Sequence, residues 1–290
     1  MMYQLLTDSA CDLPRQTLKD ANVDFVSFHF NVEGQDLTDD MGGSYELKDF
    51  FEKIKNGVMP STSAINVGEY VDFFTPYAKA GTPVAYIAFS SGLSSSFEAA
   101  TEAKAMVLEQ YPDAQIELVD TLAASQGEGR MVLEAIRLQK EGKSLAELVA
   151  WFEANRLRLQ EWFTVDSLDY LYHGGRVSRT SAALGTLLNI KPIMDVDTLG
   201  RLRVDGKVRA RKRSLATLGD KMLAALPSDP AQPILIATSG DYDAANQVRD
   251  YILAKAPTAH VTVGDIGLTI ASHTGFGCVA AFVMGAEKRQ

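Results

Sequence analysis

Apolar and polar positions along the first half of the chain alternate between two rhythms. Residues 84–89 (VAYIAF) are apolar without a break, as in a strand buried on both faces, and 3–7 and 116–120 read as companion strands. Residues 24–32 alternate in the manner of a single half-buried strand. Helical spacing predicts a helix opening at Leu13-Pro14 and others over 46–55, 67–80, about 95–111 and about 123–140, with 56–63 as a loop. Strands alternating with helices imply a mostly parallel sheet with flanking helices.

A helix from Gly142-Lys143-Ser144 to about 159 closes this half, and the pattern then changes. Residues 163–165 and a glycine-rich turn lead to a pair of strands, 190–196 and 202–208, around Asp197-Thr198-Leu199-Gly200. Helix 214–225, strand 234–237, helix 242–255 and strands 261–265 and 277–284 follow. The expected class is therefore α/β, with an N-terminal α/β domain over 1–162 and a C-terminal α+β domain over 163–290. Residues 266–286 carry no charged side chain, but Thr269, Ser272, His273, Thr274 and four glycines interrupt them. Strand–loop–strand fits that stretch better than a membrane helix.

Charge and cysteine content narrow the function. Lys plus Arg is 28 against 37 for Asp plus Glu, a formal net charge of −9 that argues against a nucleic-acid partner. Two cysteines, Cys11 and Cys278, and four scattered histidines show no metal-ligand spacing, so no metal or other cofactor is expected. Acidic Asp8 follows the first residues with no basic segment and apolar run before it, which points to a cytoplasmic protein.

Five segments carry candidate chemistry. In Ser90-Ser91-Gly92-Leu93-Ser94-Ser95-Ser96 a buried strand feeds a turn that opens a helix, placing hydroxyls and backbone N–H groups where anions bind. N-capping by Ser94 or Ser95 is the plainer role, but the hydroxyls around Gly92 exceed what a cap needs. As a nucleophile elbow the same stretch lacks the second glycine. Ser94 with His273 as base would make a serine esterase or thioesterase, with no acid partner to single out. Thr62, Ser63 and Asn66 could cap the next helix or aim hydroxyls at a ligand. His273 sits in the turn His273-Thr274-Gly275-Phe276-Gly277, where glycines let backbone approach a ligand. Its GxGxxA match is a decoy, because too little chain follows for a nucleotide-binding unit. Gly174-Gly175 should expose the Arg176 guanidinium for a phosphate or carboxylate, with a helix following through Leu188. Lys207-Val208-Arg209-Ala210-Arg211-Lys212-Arg213 is a local basic patch for an anionic partner or a membrane surface, or a solvated strand end.

Taken together, these segments resemble the DegV family of bacterial fatty-acid-binding proteins. The matching pieces are TDSACDLP at 7–14, STSAIN at 61–66, SSGLSSSFEAA at 90–100, VDTLAASQGEG at 119–129, LDYLYHGGRVS at 168–178, LLNIKPI at 187–193, KVRARK at 207–212 and HTGFG at 273–277. They run in the family's order nearly end to end. The resemblance implies two domains enclosing one long-chain fatty acid, and a carrier that presents the carboxyl to a separate ATP-dependent fatty acid kinase. It implies that Thr62 and Ser94 bond the carboxylate, with Ser63, Gly92, Ser95 and His273 close by, and that Arg176 and Arg209 face the kinase or the acyl phosphate. The chain departs from the family in SGLSSSF for the usual SGLSGTY, in TSAIN for TSQPS, and in Phe276 for a proline, which would narrow the pocket mouth.

Such a ligand suits the composition. Burying some fifteen methylenes at about 0.8 kcal/mol each gives about 12 kcal/mol before association costs. Converging hydroxyl and N–H donors hold a carboxylate without a cation. Beside the carrier stand the esterase and a lipid sensor without a kinase.

Overall fold

A computed structural model describes residues 3–178, 189–226 and 232–290. In chain order the first elements are β1 (Gln4–Asp8), α1 (Arg15–Asp20), β2 (Val23–Val26), β3 (His29–Val32), β4 (Gln35–Thr38), α2 (Leu47–Lys55), β5 (Ser61–Ser63) and α3 (Val67–Ala80). Then come β6 (Val84–Ala88), α4 (Ser96–Gln110), β7 (Ile116–Asp120), α5 (Gln126–Lys140) and α6 (Leu145–Asn155). β2, β1, β6 and β7 lie side by side in that order, all parallel. Every residue of β6 is buried, as its unbroken apolar run requires. Capping boxes fix the starts of α3 (Asn66 with Glu69) and α6 (Ser144 with Glu147), and Gly81 ends α3 in the left-handed conformation.

β8 (Leu159–Thr164), α7 (Asp169–His173), β9 (Ile190–Val196), β10 (Leu202–Arg209), α8 (Arg211–Ala224), β11 (Ile234–Thr238), α9 (Tyr242–Lys255), β12 (Val261–Asp265), α10 (Leu268–Thr274) and β13 (Val279–Met284) complete the described chain. Six of these strands form a mixed sheet in the order β10-β9-β8-β13-β11-β12. β10, at its edge, alternates half-buried and exposed positions and carries Arg203, Asp205, Lys207 and Arg209 outward, charges that discourage edge pairing.

Several elements differ from the sequence expectation. Residues 24–32 are not one strand. The chain leaves the parallel sheet at Val26, and β3 joins a separate three-stranded sheet, β4-β3-β5. Ser9 Oγ takes the Phe28 N–H at 3.0 Å and Asp39 N–H takes the Phe28 carbonyl at 2.8 Å, diverting the backbone there. The expected loop 56–63 contains β5, and the expected loop after β12 contains α10. The helix ending α6 stops at Asn155, so β8 begins four residues later and belongs whole to the six-stranded sheet. The basic run ends β10 at Arg209 and continues into α8 from Arg211. The helix expected through Leu188 lies outside the described residues.

The three-stranded sheet joins the two halves. Phe30, Phe50 and Phe51 pack in one core with Phe163, Leu171 and Phe282. α10 lies across the same junction, the Thr269 N–H in its first turn and the Thr269 hydroxyl both donating to Asp39, at 3.0 and 2.6 Å. That buried acceptor from the other half of the chain is what starts a helix where local sequence gives no cap.

Candidate functional site

β5, the serine turn after β6, and α10 converge over the face of the six-stranded sheet that carries Phe163, Ala280 and Phe282. They line a pocket of about 780 Å³, a figure that includes the part open to solvent. Its walls are mainly apolar, with Phe28, Phe89 and Leu93 from the first half of the chain facing Phe163, Leu202 and Phe282 from the second.

One end of the cavity is polar. Pairing of β5 with β3 sets Thr62 opposite Phe30, and the Thr62 hydroxyl meets His273 Nε2 at 2.7 Å. His273 sits on the last turn of α10, just before Gly275. The Gly174 backbone crosses so close to its ring that a Cβ there would lie 2.0 Å from Nδ1, so this position excludes any side chain. Nδ1 is buried and has no hydrogen-bond partner among the described residues. Burial, then the Arg176 and His173 charges, hold His273 down to about 4. The ring is therefore neutral at pH 7. With the proton on Nε2 it donates to Thr62 Oγ1, which frees the threonine hydroxyl proton for an acceptor in the cavity.

Ser94 stands in the turn that opens α4. Its Oγ accepts the Ser96 N–H at 3.1 Å, capping the start of α4, and it also lines the cavity, 2.9 Å from Ser96 Oγ. Ser63 lines the cavity as well, although it is exposed. Ser95 is exposed and lies outside the lining. Gly92 also lies outside it and is demanded by packing. A Cβ there would fall 2.4 Å from the Leu199 carbonyl oxygen, and neighbouring Ser90 donates to the Gly200 carbonyl at 2.8 Å.

Arg176 lines the cavity, but it is half-buried rather than held out in solvent as its glycine pair predicts. Nε and Nη2 donate to the Leu93 carbonyl at 3.1 and 2.9 Å, and Nη1 to the Gly174 carbonyl at 2.5 Å. The guanidinium thus ties the glycine turn to the serine turn. Arg209 is exposed at the end of β10 and is not part of the lining. In the same basic run Arg211 turns inward instead, donating to the Gly277 carbonyl at 2.5 Å and to Asp241 at 3.2 Å. Phe276 does not narrow the cavity. It packs on Gly240 and Phe51 with the Lys55 ammonium 5.1 Å from its ring centre.

Among the lining residues that sequence reasoning missed are Ser125 and Glu161. Glu161 was legible in principle, because period-two alternation puts it on the apolar face of β8 with Leu159 and Phe163.

The family model described as "Uncharacterised protein, DegV family" matches residues 2–286. The chain belongs to the DegV family. A DegV domain-containing protein from Clostridium perfringens is 38% identical over 286 residues, covering 99% of this chain and 98% of that one. Among solved structures, a DegV family protein from Thermus thermophilus, described for its fatty-acid binding, matches with TM-score 0.84 and 29% identity over 98% of this chain and all of that one. The fatty acid kinase (Fak) B3 protein of Streptococcus pneumoniae, loaded with linoleic acid, shares the DegV fold at TM-score 0.83 and 22% identity, covering 98% of this chain and 99% of that one. No helix among the described residues of this DegV chain is long and apolar enough to cross a membrane.

Proposed function

We propose that this DegV chain binds one long-chain fatty acid and presents its carboxyl to a separate ATP-dependent fatty acid kinase in the cytoplasm. The observation that carries this is a largely apolar cavity lined also by the Thr62 hydroxyl, its partner His273, and the Ser94 hydroxyl. The Thr62 and Ser94 hydroxyls donate to the carboxylate, neutral His273 orients Thr62, and the acyl chain fills the space between Phe28, Phe89, Phe163 and Phe282. The Thermus protein's fatty-acid binding and the kinase-named Streptococcus protein support the reading. One carboxylate oxygen then attacks the γ-phosphorus of ATP held by the kinase, giving acyl phosphate and ADP. This chain contributes placement, with Arg176 and Arg209 facing the partner or the new phosphate. The same exposed basic strand end would allow brief contact with a membrane surface.

The protein purified after bacterial expression is expected to carry about one long-chain fatty acid, read by native mass spectrometry. A delipidated sample that takes up no acid of about twelve to eighteen carbons would rule the carrier out.

The geometry favours a carrier over an esterase. His273 Nε2 meets Thr62 rather than Ser94, and among the described residues Nδ1 lacks the carboxylate partner that orients a catalytic imidazole. A serine-directed fluorophosphonate should therefore leave Ser94 unlabelled. Labelling that vanishes in Ser94→Ala would reinstate the esterase.

Thr62→Ala and Ser94→Ala should each weaken fatty-acid affinity by about 1.5–3 kcal/mol, or roughly ten- to a hundredfold. Both serve one anion, so the double variant should lose less than the sum of the two. Ser94→Ala should also cost about 1 kcal/mol of stability through its cap on α4. Calorimetric titration and melting curves separate the two losses. An unchanged affinity in the double variant would place the anion elsewhere.

A further inference from the structure

The wall of the cavity farther along β8 is charged. Phe163 lies opposite Ala280, and Glu161 lies opposite Phe282, further from the Cys278 end of β13 that follows the His273 turn. The Glu161 side chain is only 2% exposed. Its Oε1 accepts from Arg289 Nη1 at 2.5 Å and its Oε2 from the Ala124 N–H at 3.1 Å. Arg289 Nη2 reaches on to the Leu122 carbonyl at 2.5 Å. The pair therefore grips the turn whose Ala124 and Ser125 also line the cavity. Gly127 is shaped to it, since a Cβ there would fall 2.2 Å from Glu161 Oε2.

A carboxylate has about four acceptor positions, and these contacts fill two. Glu161 thus brings unused acceptor capacity to a largely apolar cavity. The carboxylate site at Thr62, Ser94 and His273 makes no use of it.

We propose that Glu161, fixed by Arg289, sets the length of acyl chain the cavity takes and prefers a chain end that carries a hydroxyl. The inference rests on the fatty-acid reading given above. An apolar chain gains affinity with each methylene while it covers Phe163 and Phe282. It gains nothing further once its methyl end meets a carboxylate whose lone pairs it cannot satisfy. A terminal hydroxyl donates to that carboxylate instead.

The test is a titration of the delipidated full chain with saturated acids of about ten to twenty carbons, together with the ω-hydroxy acid of limiting length. Affinity should rise about fourfold per methylene, then stop, and at that limit the ω-hydroxy acid should bind at least about fivefold tighter than its parent. In the double variant Glu161→Leu with Arg289→Leu, the limit should move out by roughly two carbons or more and the hydroxyl preference should disappear, while decanoate binds as before. Glu161→Gln keeps an acceptor for the Ala124 N–H, and it serves should the double variant not fold. Its hydroxyl preference should fall at least about threefold.

An unchanged limit and preference in a folded variant would overturn the proposal, as would a parent series with no limit. An equal loss at every chain length, decanoate included, would reduce the pair to a clamp on the turn and overturn it too. A parent that binds no acid at all removes the fatty-acid reading itself.

Discussion

Arg176→Ala is expected to lower acyl-phosphate formation by about two orders of magnitude or more while fatty-acid affinity changes less than about tenfold. Three of the guanidinium's five N–H donors are spent on the Leu93 and Gly174 carbonyls, which leaves two and the full positive charge at the polar end of the cavity. Phosphoryl transfer gains most from charge that is already positioned when the transition state forms, and a side chain tied to two backbone carbonyls is positioned in advance. The carboxylate itself rests on Thr62 and Ser94, so ground-state binding should survive. Arg176→Lys keeps the charge but cannot reproduce the two-pronged grip on Leu93, so it should recover only part of the rate. A lipid titration and a kinase assay with ATP on the same samples make the comparison. Equal losses in both would make Arg176 a ligand contact or a packing residue. Normal phosphorylation would leave it a turn arginine.

What could be read from the sequence divides along a physical line. Local information carried α3, α9, β7, β9 and β12, because their start and stop signals lie within a few residues. Asn66 with Glu69 and left-handed Gly81 around α3 are the clearest case. Elements fixed by distant partners were misread. β2 and β3 look like one strand until Ser9 and Asp39 capture Phe28, and α10 looks like loop until Asp39 caps it from 230 residues away. The site follows the same division. The Thr62, Ser94 and His273 segments stood out by composition, yet nothing local shows that Thr62 and His273, 211 residues apart, share a hydrogen bond. Nor does a pair of glycines reveal that Arg176 folds back on Leu93. Glu161 shows the reverse failure: its signal was local, but starting the strand at Phe163 instead of Leu159 removed it from view.

Glu128→Gln is expected to gain stability over the parent by about 1.4 kcal/mol for each pH unit above about 4.3, for as long as the native carboxyl keeps its proton. Glu128 lies at the start of α5, fully buried, with Thr7 donating to Oε1 at 3.1 Å and Oε2 without a partner among the described residues. Burial first, then the charge of neighbouring Asp8, pushes its carboxyl well above the ordinary range. The native state therefore holds a proton that the unfolded chain releases above about pH 4.3, and the parent's unfolding free energy falls as pH rises. Glutamine does not titrate, keeps an oxygen for Thr7, and puts N–H donors in place of the unpartnered oxygen. Asp8, raised to about 6 chiefly by burial, adds a decline of the same sign between about pH 4 and 6. His273 acts oppositely. Its native pKa of about 4 lies below the unfolded 6.5, so its contribution is complete above about pH 6.5 and is lost as pH falls toward 4, about 3 kcal/mol in all. Urea midpoints for the parent, Glu128→Gln and His273→Gln at pH 5, 6, 7 and 8 should thus diverge in opposite directions. The Glu128→Gln advantage widens toward pH 8, and His273→Gln performs best relative to the parent at pH 5. Parallel curves for Glu128→Gln and the parent would mean that Glu128 is ionised in the native state.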